Sequence, residues 1–286
     1  MERTLGMWYR KDGTQLEYTI CGSGEPVLVM HGGHANCMEE MGYAPLVKRG
    51  YRLITPSRPG YGATSAEIGG SLESTAEAYA GLLDYLQIEA VHVLAVSAGG
   101  PSGLMLASAY PERVRTLTLE SAVTTEWLKK KDAAYKAAMV LFRPVVEKGT
   151  WALLRMAVKK RPEMIFKQMA ASFSTLSYER IRQEINSGAL QEFASMIAAQ
   201  RSGKGFLIDV NTNAAEEVQP KIYAPVLIVH SEHDASVPIE HAYEAKRLIP
   251  QAELTILDSW GHLIWIGSEA EYRDHAVLNF LKKNRL

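Results

Sequence analysis

The chain has 286 residues, 47% hydrophobic and 22% charged, which is ordinary globular usage and excludes a disordered or low-complexity protein. Its 31 basic and 32 acidic residues leave a formal charge of −1, so no global charge points to nucleic acid or an anionic membrane as a partner. Cys21 and Cys37 are too few for a disulfide framework and read as reduced thiols. With no secretory signal pattern at the start and no apolar run of membrane-spanning length, the expectation is a soluble cytoplasmic protein.

The first half alternates strand and helix signals. Strand-like runs occur at Gly6–Tyr9, Gln15–Cys21, Val27–Met30, Tyr51–Thr55, Val91–Val96 and Val114–Leu119. Val27–Met30 and Val91–Val96 are almost continuously apolar, as strands buried on both faces are. Leu72–Leu86 and Pro101–Tyr110 carry apolar residues at helical spacing. Such alternation predicts a mostly parallel sheet joined by right-handed crossovers. The Asp12-Gly13 turn predicts an antiparallel hairpin at the sheet edge.

The pattern changes near residue 123. From Thr124 to Pro220 helix formers dominate, with helices predicted at Ala133–Arg143, Thr150–Lys160, Met164–Phe173, Tyr178–Ser187 and Leu190–Arg201. Lys and Arg outnumber Asp and Glu there by 15 to 10, which reads as a solvated helical surface. Strand signals return at Pro225–His230 and Glu253–Leu257, with helical spacing at Ile239–Leu248 and Glu269–Leu281. The organisation is an α/β core of residues 1–123 and 221–286, interrupted by an all-helical insertion at 124–220. No internal repeat is evident.

The chemistry concentrates at Ser97, where the apolar strand Val91–Val96 runs into Ser97-Ala-Gly-Gly100 and then a helix-forming segment. A strand that reverses into a helix at one serine needs small flanking residues, and Ala95 and Gly99 supply them. A serine hydroxyl is a poor nucleophile at neutral pH, so it needs a base, and the base needs an orienting carboxylate. Asp234, after the strand Pro225–His230, and His262, after Glu253–Leu257, lie where an α/β sheet gathers its ligands. Glu120, at the end of the sixth strand, is the rival carboxylate. Asp234 is preferred for its Asp-x-x-Val-Pro setting, and Glu120 reads as a core or pocket residue.

With these residues in order, the chain resembles the α/β-hydrolase superfamily of serine hydrolases with a helical cap, over nearly its whole length. The residues that carry the likeness are His31-Gly-Gly-His34, Arg58-Pro-Gly-Tyr-Gly62, the Ser97 turn, Asp234 and His262. Two positions depart from the usual pattern: Ala95 stands where the first Gly of the turn is usual, and Ser57 where an Asp usually opens the Arg58 loop. The resemblance implies that Ser97 is the nucleophile, His262 the general base and later acid, and Asp234 the carboxylate that fixes the imidazole. It also implies an oxyanion hole made by the backbone N–H groups of Gly33 and Ala98, with His34 the weaker choice for the second donor. His31 reads as a structural ring that shapes this loop.

Within the insertion, Trp127, Phe142, Trp151, Met156, Met164, Phe166, Met169 and Phe173 offer apolar surface. The expectation is an apolar acyl pocket, with His34, Trp127, Met156, Met169, Trp260 and Trp265 as substrate-binding candidates. His92, His230 and His233 lack metal-ligand spacing, and no metal or organic cofactor is expected. The expected partner is a small-molecule substrate, with no nucleic acid or membrane. Carboxylester hydrolysis ranks first, and C–C bond or lactone hydrolysis second. A ligand-binding sensor that retains the three residues is the alternative from another class.

Overall fold

The structure is a computed structural model, and it describes residues 2–40, 42–128, 131–143, 145–212 and 222–285. Eight strands form one sheet among these: β1 (Thr4–Tyr9), β2 (Gln15–Cys21), β3 (Glu25–Met30), β4 (Tyr51–Pro56), β5 (Val91–Val96), β6 (Val114–Glu120), β7 (Val226–Ser231) and β8 (Glu253–Leu257). Their order is β1-β2-β4-β3-β5-β6-β7-β8. β1 and β2 pair antiparallel with Tyr9 opposite Gln15, so the Asp12-Gly13 turn does close a hairpin at the edge. β2 joins β4 antiparallel, and every pair from β4 to β8 is parallel. This is the expected α/β architecture with a mostly parallel sheet.

Side chains alternate across the sheet with the period of two that a pleated strand dictates. On β3, β5 and β7, Leu28, Met30, Val93, Ala95, Val226 and Ile228 enter one hydrophobic layer. Helices α2 (Leu72–Tyr85) and α3 (Gly100–Ala109) cover that face. The intervening Val27, Val29, Leu94, Val96, Leu227 and Val229 enter the other layer. That second face carries the short α1 (Ala44–Lys48).

Between β6 and β7 lie helices α4 (Ala133–Leu141), α5 (Glu147–Lys160), α6 (Pro162–Phe173), α7 (Tyr178–Glu184), α8 (Ser187–Ala199) and α9 (Gly205–Asn211). The predicted helix Tyr178–Ser187 stops early, because the Asn186 side chain accepts the Ala189 N–H at 2.9 Å and starts α8 at Ser187. α9 has no counterpart in the sequence reading. The expected boundary at 220/221 lies outside the described residues. Two further helices, α10 (Glu240–Leu248) and α11 (Ala270–Lys283), complete the fold; α10 packs on the first layer and α11 on the second. Among the described residues no helix is long and apolar enough to cross a membrane.

Candidate active site

β5 ends directly at Ser97, which has φ of 51°, a left-handed backbone that costs a non-glycine residue about 1–3 kcal/mol. The Val123 N–H holds the turn by donating to the Ser97 carbonyl at 2.9 Å. A Cβ on Gly99 would collide with the carbonyls of Met30 and His31, so that position demands glycine. Ala95 tolerates its methyl because Gly103 faces it; a Cβ built on Gly103 would stand 2.6 Å from the Ala95 Cβ. The departure at Ala95 is thus matched by a missing side chain on α3.

His262 bridges the other two residues. Its Nε2 lies 3.0 Å from Ser97 Oγ and its Nδ1 lies 2.7 Å from Asp234 Oδ2. With Nδ1–H donating to the carboxylate, Nε2 is free to accept the serine proton. The remaining acceptor positions of Asp234 are also filled. Oδ1 accepts the N–H groups of Ser236 and Val237, both at 2.8 Å. Oδ2 lies 3.3 Å from His230 Nε2, which also donates to the Val237 carbonyl at 2.8 Å. Burial pushes the Asp234 carboxyl up, but His262 and His230 beside it outweigh burial and hold it below its ordinary value. All three residues are almost wholly buried.

The rival carboxylate lies elsewhere in the core. Glu120 Oε2 accepts from Arg273 Nη2 at 2.7 Å, an ion pair in which both side chains are buried. Glu120 is therefore a core residue, and the geometry favours Asp234 as the partner of His262.

On the opposite side of Ser97 the loop after β3 is tied to Arg58. The His31 ring donates from Nδ1 to the Gly32 carbonyl at 2.8 Å and accepts the Arg58 N–H on Nε2 at 2.9 Å. The ring thereby ties the loop after β3 to the Arg58 backbone. The space that a Gly33 Cβ would occupy lies 3.8 Å from the Ala98 methyl and 3.4 Å from the Phe206 ring, so Gly33 and Ala98 are neighbours beside the serine. The His34 N–H points to Tyr61 Oη at 3.3 Å, which removes it as an oxyanion donor. Its ring stacks on Phe206 with centroids 3.9 Å apart, and its Nδ1 meets Ser202 Oγ at 2.8 Å. Burial, aided by nearby Arg58, lowers His34 to about 3, so the ring is neutral.

The apolar walls differ in part from expectation. Trp127 donates to the Ser236 carbonyl at 2.8 Å and stands edge-on to Phe206, close to the Asp234 loop. Trp265 and Phe173 lie on the histidine side, each with its ring centroid 6.5 Å from that of His262. Met169 is half-buried against the second hydrophobic layer. Met156 is a correction: it is 56% exposed, on the face of α5 turned away from buried Trp151 and Val158. Trp260 is another. It is fully buried under Phe166 and Phe173 and donates to the Ile266 carbonyl, so it packs as core.

Glu232, His233 and Asp258 bring potential ligand atoms within 4.8 Å of one another at the outer rim, where His233 already pairs with Asp258 at 3.0 Å. The sequence reading missed three participants. Asp209 grips Arg58 with both oxygens, at 2.6 and 2.8 Å. Ser202 receives the Trp151 indole N–H at 2.7 Å, and His230 backs Asp234. No local motif marks the first two; His230 had only its place on the strand before Asp234 to signal it.

A parallel sheet with a helical insertion after β6, and a serine, histidine and aspartate meeting at three strand ends, defines the α/β-hydrolase class. A family model described as alpha/beta hydrolase fold matches residues 25–268, and the chain belongs to this family. It is a hydrolase of that fold. The uncharacterized hydrolase YcgS of Bacillus subtilis is 52% identical over 95% of this chain and 96% of its own length. A 2-hydroxy-6-oxononadienedioate/2-hydroxy-6-oxononatrienedioate hydrolase of Dechloromonas aromatica is 27% identical over 93% of this chain and 90% of its own. Among solved structures, an alpha/beta hydrolase fold protein from Nakamurella multipartita superposes with a TM-score of 0.82 at 26% identity, covering 99% of this chain and all of its own.

Proposed function

We propose that this protein is a serine hydrolase that cleaves carboxylesters of small, largely apolar substrates. The observation that carries the reading is the continuous hydrogen-bonded line Ser97 Oγ–His262–Asp234, at 3.0 and 2.7 Å, on a strained turn at the end of β5. His262 takes the Ser97 proton as Oγ attacks the ester carbonyl, and the amides of Gly33 and Ala98 receive the charge that develops on oxygen. The C–O bond then breaks, and the departing alcohol takes the proton from His262. Water, deprotonated by the same imidazole, attacks the acyl-enzyme and releases the acid and Ser97. Residues 124–220 act as the cap over this site. Phe142, Phe206, Trp127 and Trp265 supply its apolar surroundings.

A neutral substrate suits the charges near the site. Arg58, the cation beside the loop at Gly32, is paired with Asp209 through both terminal nitrogens. The second reading is hydrolysis of a C–C bond, supported by the name of the Dechloromonas aromatica relative, whose substrates are dicarboxylates. The free, buried Cys21 and Cys37 support a cytoplasmic location.

A series of p-nitrophenyl esters of graded chain length, run beside a dienone-acid substrate, tests the proposal. Multiple turnover of a medium-chain ester, abolished in Ser97→Ala, is the expected result. Turnover that survives in Ser97→Ala would sink the nucleophile assignment, faster cleavage of the dienone acid would favour the second reading, and binding with at most one turnover would favour a sensor.

A further inference from the structure

The peptide on which Gly33 donates is controlled from the cap. In a planar trans peptide the Gly32 carbonyl and the Gly33 N–H point in opposite directions, so fixing one aims the other. The Gly32 carbonyl accepts from His31 Nδ1 at 2.8 Å and from Arg58 Nη2 at 3.2 Å, and Arg58 Nε binds the preceding His31 carbonyl at 2.6 Å. The guanidinium itself is located by Asp209 of α9, with Nη1–Oδ1 2.6 Å and Nη2–Oδ2 2.8 Å. Asp209 Oδ2 also accepts the Tyr61 hydroxyl at 2.6 Å, and the oxygen of that hydroxyl accepts the His34 N–H at 3.3 Å.

One carboxylate in the cap therefore reaches both neighbours of Gly33: Gly32 through Arg58, and His34 through Tyr61. The cap holds the same loop from a second side, where the Arg201 N–H donates to the His34 carbonyl at 2.8 Å. We propose that Asp209 is a positioning residue for the oxyanion hole, holding the Gly33 N–H in its donating orientation only while α9 is docked on the core. The inference rests on the reading of Gly33 and Ala98 as oxyanion donors. A strut that merely fastened the cap would not need to clasp the loop on both sides of the donor.

The test compares wild type with Asp209→Asn, with the double variant Arg58→Met/Asp209→Leu and with Tyr61→Phe. Each is assayed for p-nitrophenyl butyrate turnover, inhibition by a phenyl trifluoromethyl ketone and melting temperature. The double variant replaces the ion pair by apolar groups of similar volume, an exchange that folded proteins tolerate. Removing one oxyanion donor lowers kcat by roughly 10²–10³-fold, so misaiming one should lower it about ten- to hundredfold. That loss is expected in Asp209→Asn and in the double variant, with KM within about threefold of wild type. Ketone inhibition should weaken by the same factor as kcat/KM, because its bound hemiketal anion needs the same donors. Tyr61→Phe should show a smaller loss in the same direction. A folded double variant with wild-type kcat and ketone inhibition overturns the inference and leaves the pair as a strut. A wild type that neither hydrolyses the ester nor reacts with a fluorophosphonate probe overturns the nucleophile reading, and this inference with it.

Discussion

His230 Nε2 lies 3.3 Å from Asp234 Oδ2, the same oxygen that receives the His262 Nδ1 proton at 2.7 Å. His230 donates its Nε2 hydrogen to the Val237 carbonyl at 2.8 Å, and its approach to Asp234 is the longer arm of that shared contact. The ring helps to hold the Asp234 carboxyl below its ordinary value. His230→Leu should therefore lower kcat on an ester substrate roughly tenfold or more with little change in KM. His230→Gln keeps an N–H near the Nε2 position and should recover most of the loss. Equal rates in the Leu and Gln variants would assign His230 to packing alone.

The two carboxylates should respond differently to loss of charge. Asp234→Asn stabilises the wrong imidazole tautomer, and kcat should fall by about 10³–10⁴-fold while the fold survives. Glu120→Gln weakens the buried pair with Arg273, and breaking such pairs costs about 3–5 kcal/mol. Its signature should be a lower melting temperature, with kcat per folded molecule within a few-fold of wild type. Steady-state kinetics and thermal melts on both variants check the contrast.

Stability should peak near neutral pH and fall on both sides. Burial raises Glu39 from its ordinary 4.5 to about 8, only partly offset by Arg3, and both its carboxyl oxygens lack hydrogen-bond partners among the described residues. The folded protein then holds a proton that the unfolded chain has released, so stability falls as pH rises toward 8. Burial lowers His34 to about 3 and His241 to about 4, whereas the unfolded chain takes up protons near 6.5. Stability is accordingly lost as pH drops below 6.5. Melting temperatures between pH 4 and 9 should trace this curve, and Glu39→Gln should flatten its alkaline limb. An unchanged alkaline limb in that variant would show that Glu39 is already ionised at neutral pH.

What was legible in the sequence had local causes. The apolar runs of β3 and β5 announce strands buried on both faces; Ser97 directly follows β5, and Asp234 and His262 lie in the loops after β7 and β8. The Asp12-Gly13 turn specifies its hairpin within a few residues. Residues whose environment is set by tertiary packing were not legible. Met156 and Trp151 look alike as apolar helix residues, yet the rotation of α5 exposes one and buries the other. Trp260 precedes His262 by two residues but points into the core. The Arg58–Asp209 pair joins positions 151 residues apart, and neither neighbourhood carries a sign of the other.

The carbonyl of Phe173, at the last residue of α6, accepts the N–H of His262 at 2.8 Å and that of Ala235 at 3.3 Å, while Ser174 forms a bridge with Asp234. One edge of the helical insertion is therefore spliced into the same backbone that presents His262 and Asp234. A lid hinged at this edge could not lift without dragging His262 off Ser97. Heat inactivation and loosening of α6 should consequently share one rate, and changes of substrate range made on this side would come from exchanging side chains such as Phe173, with the backbone left in place.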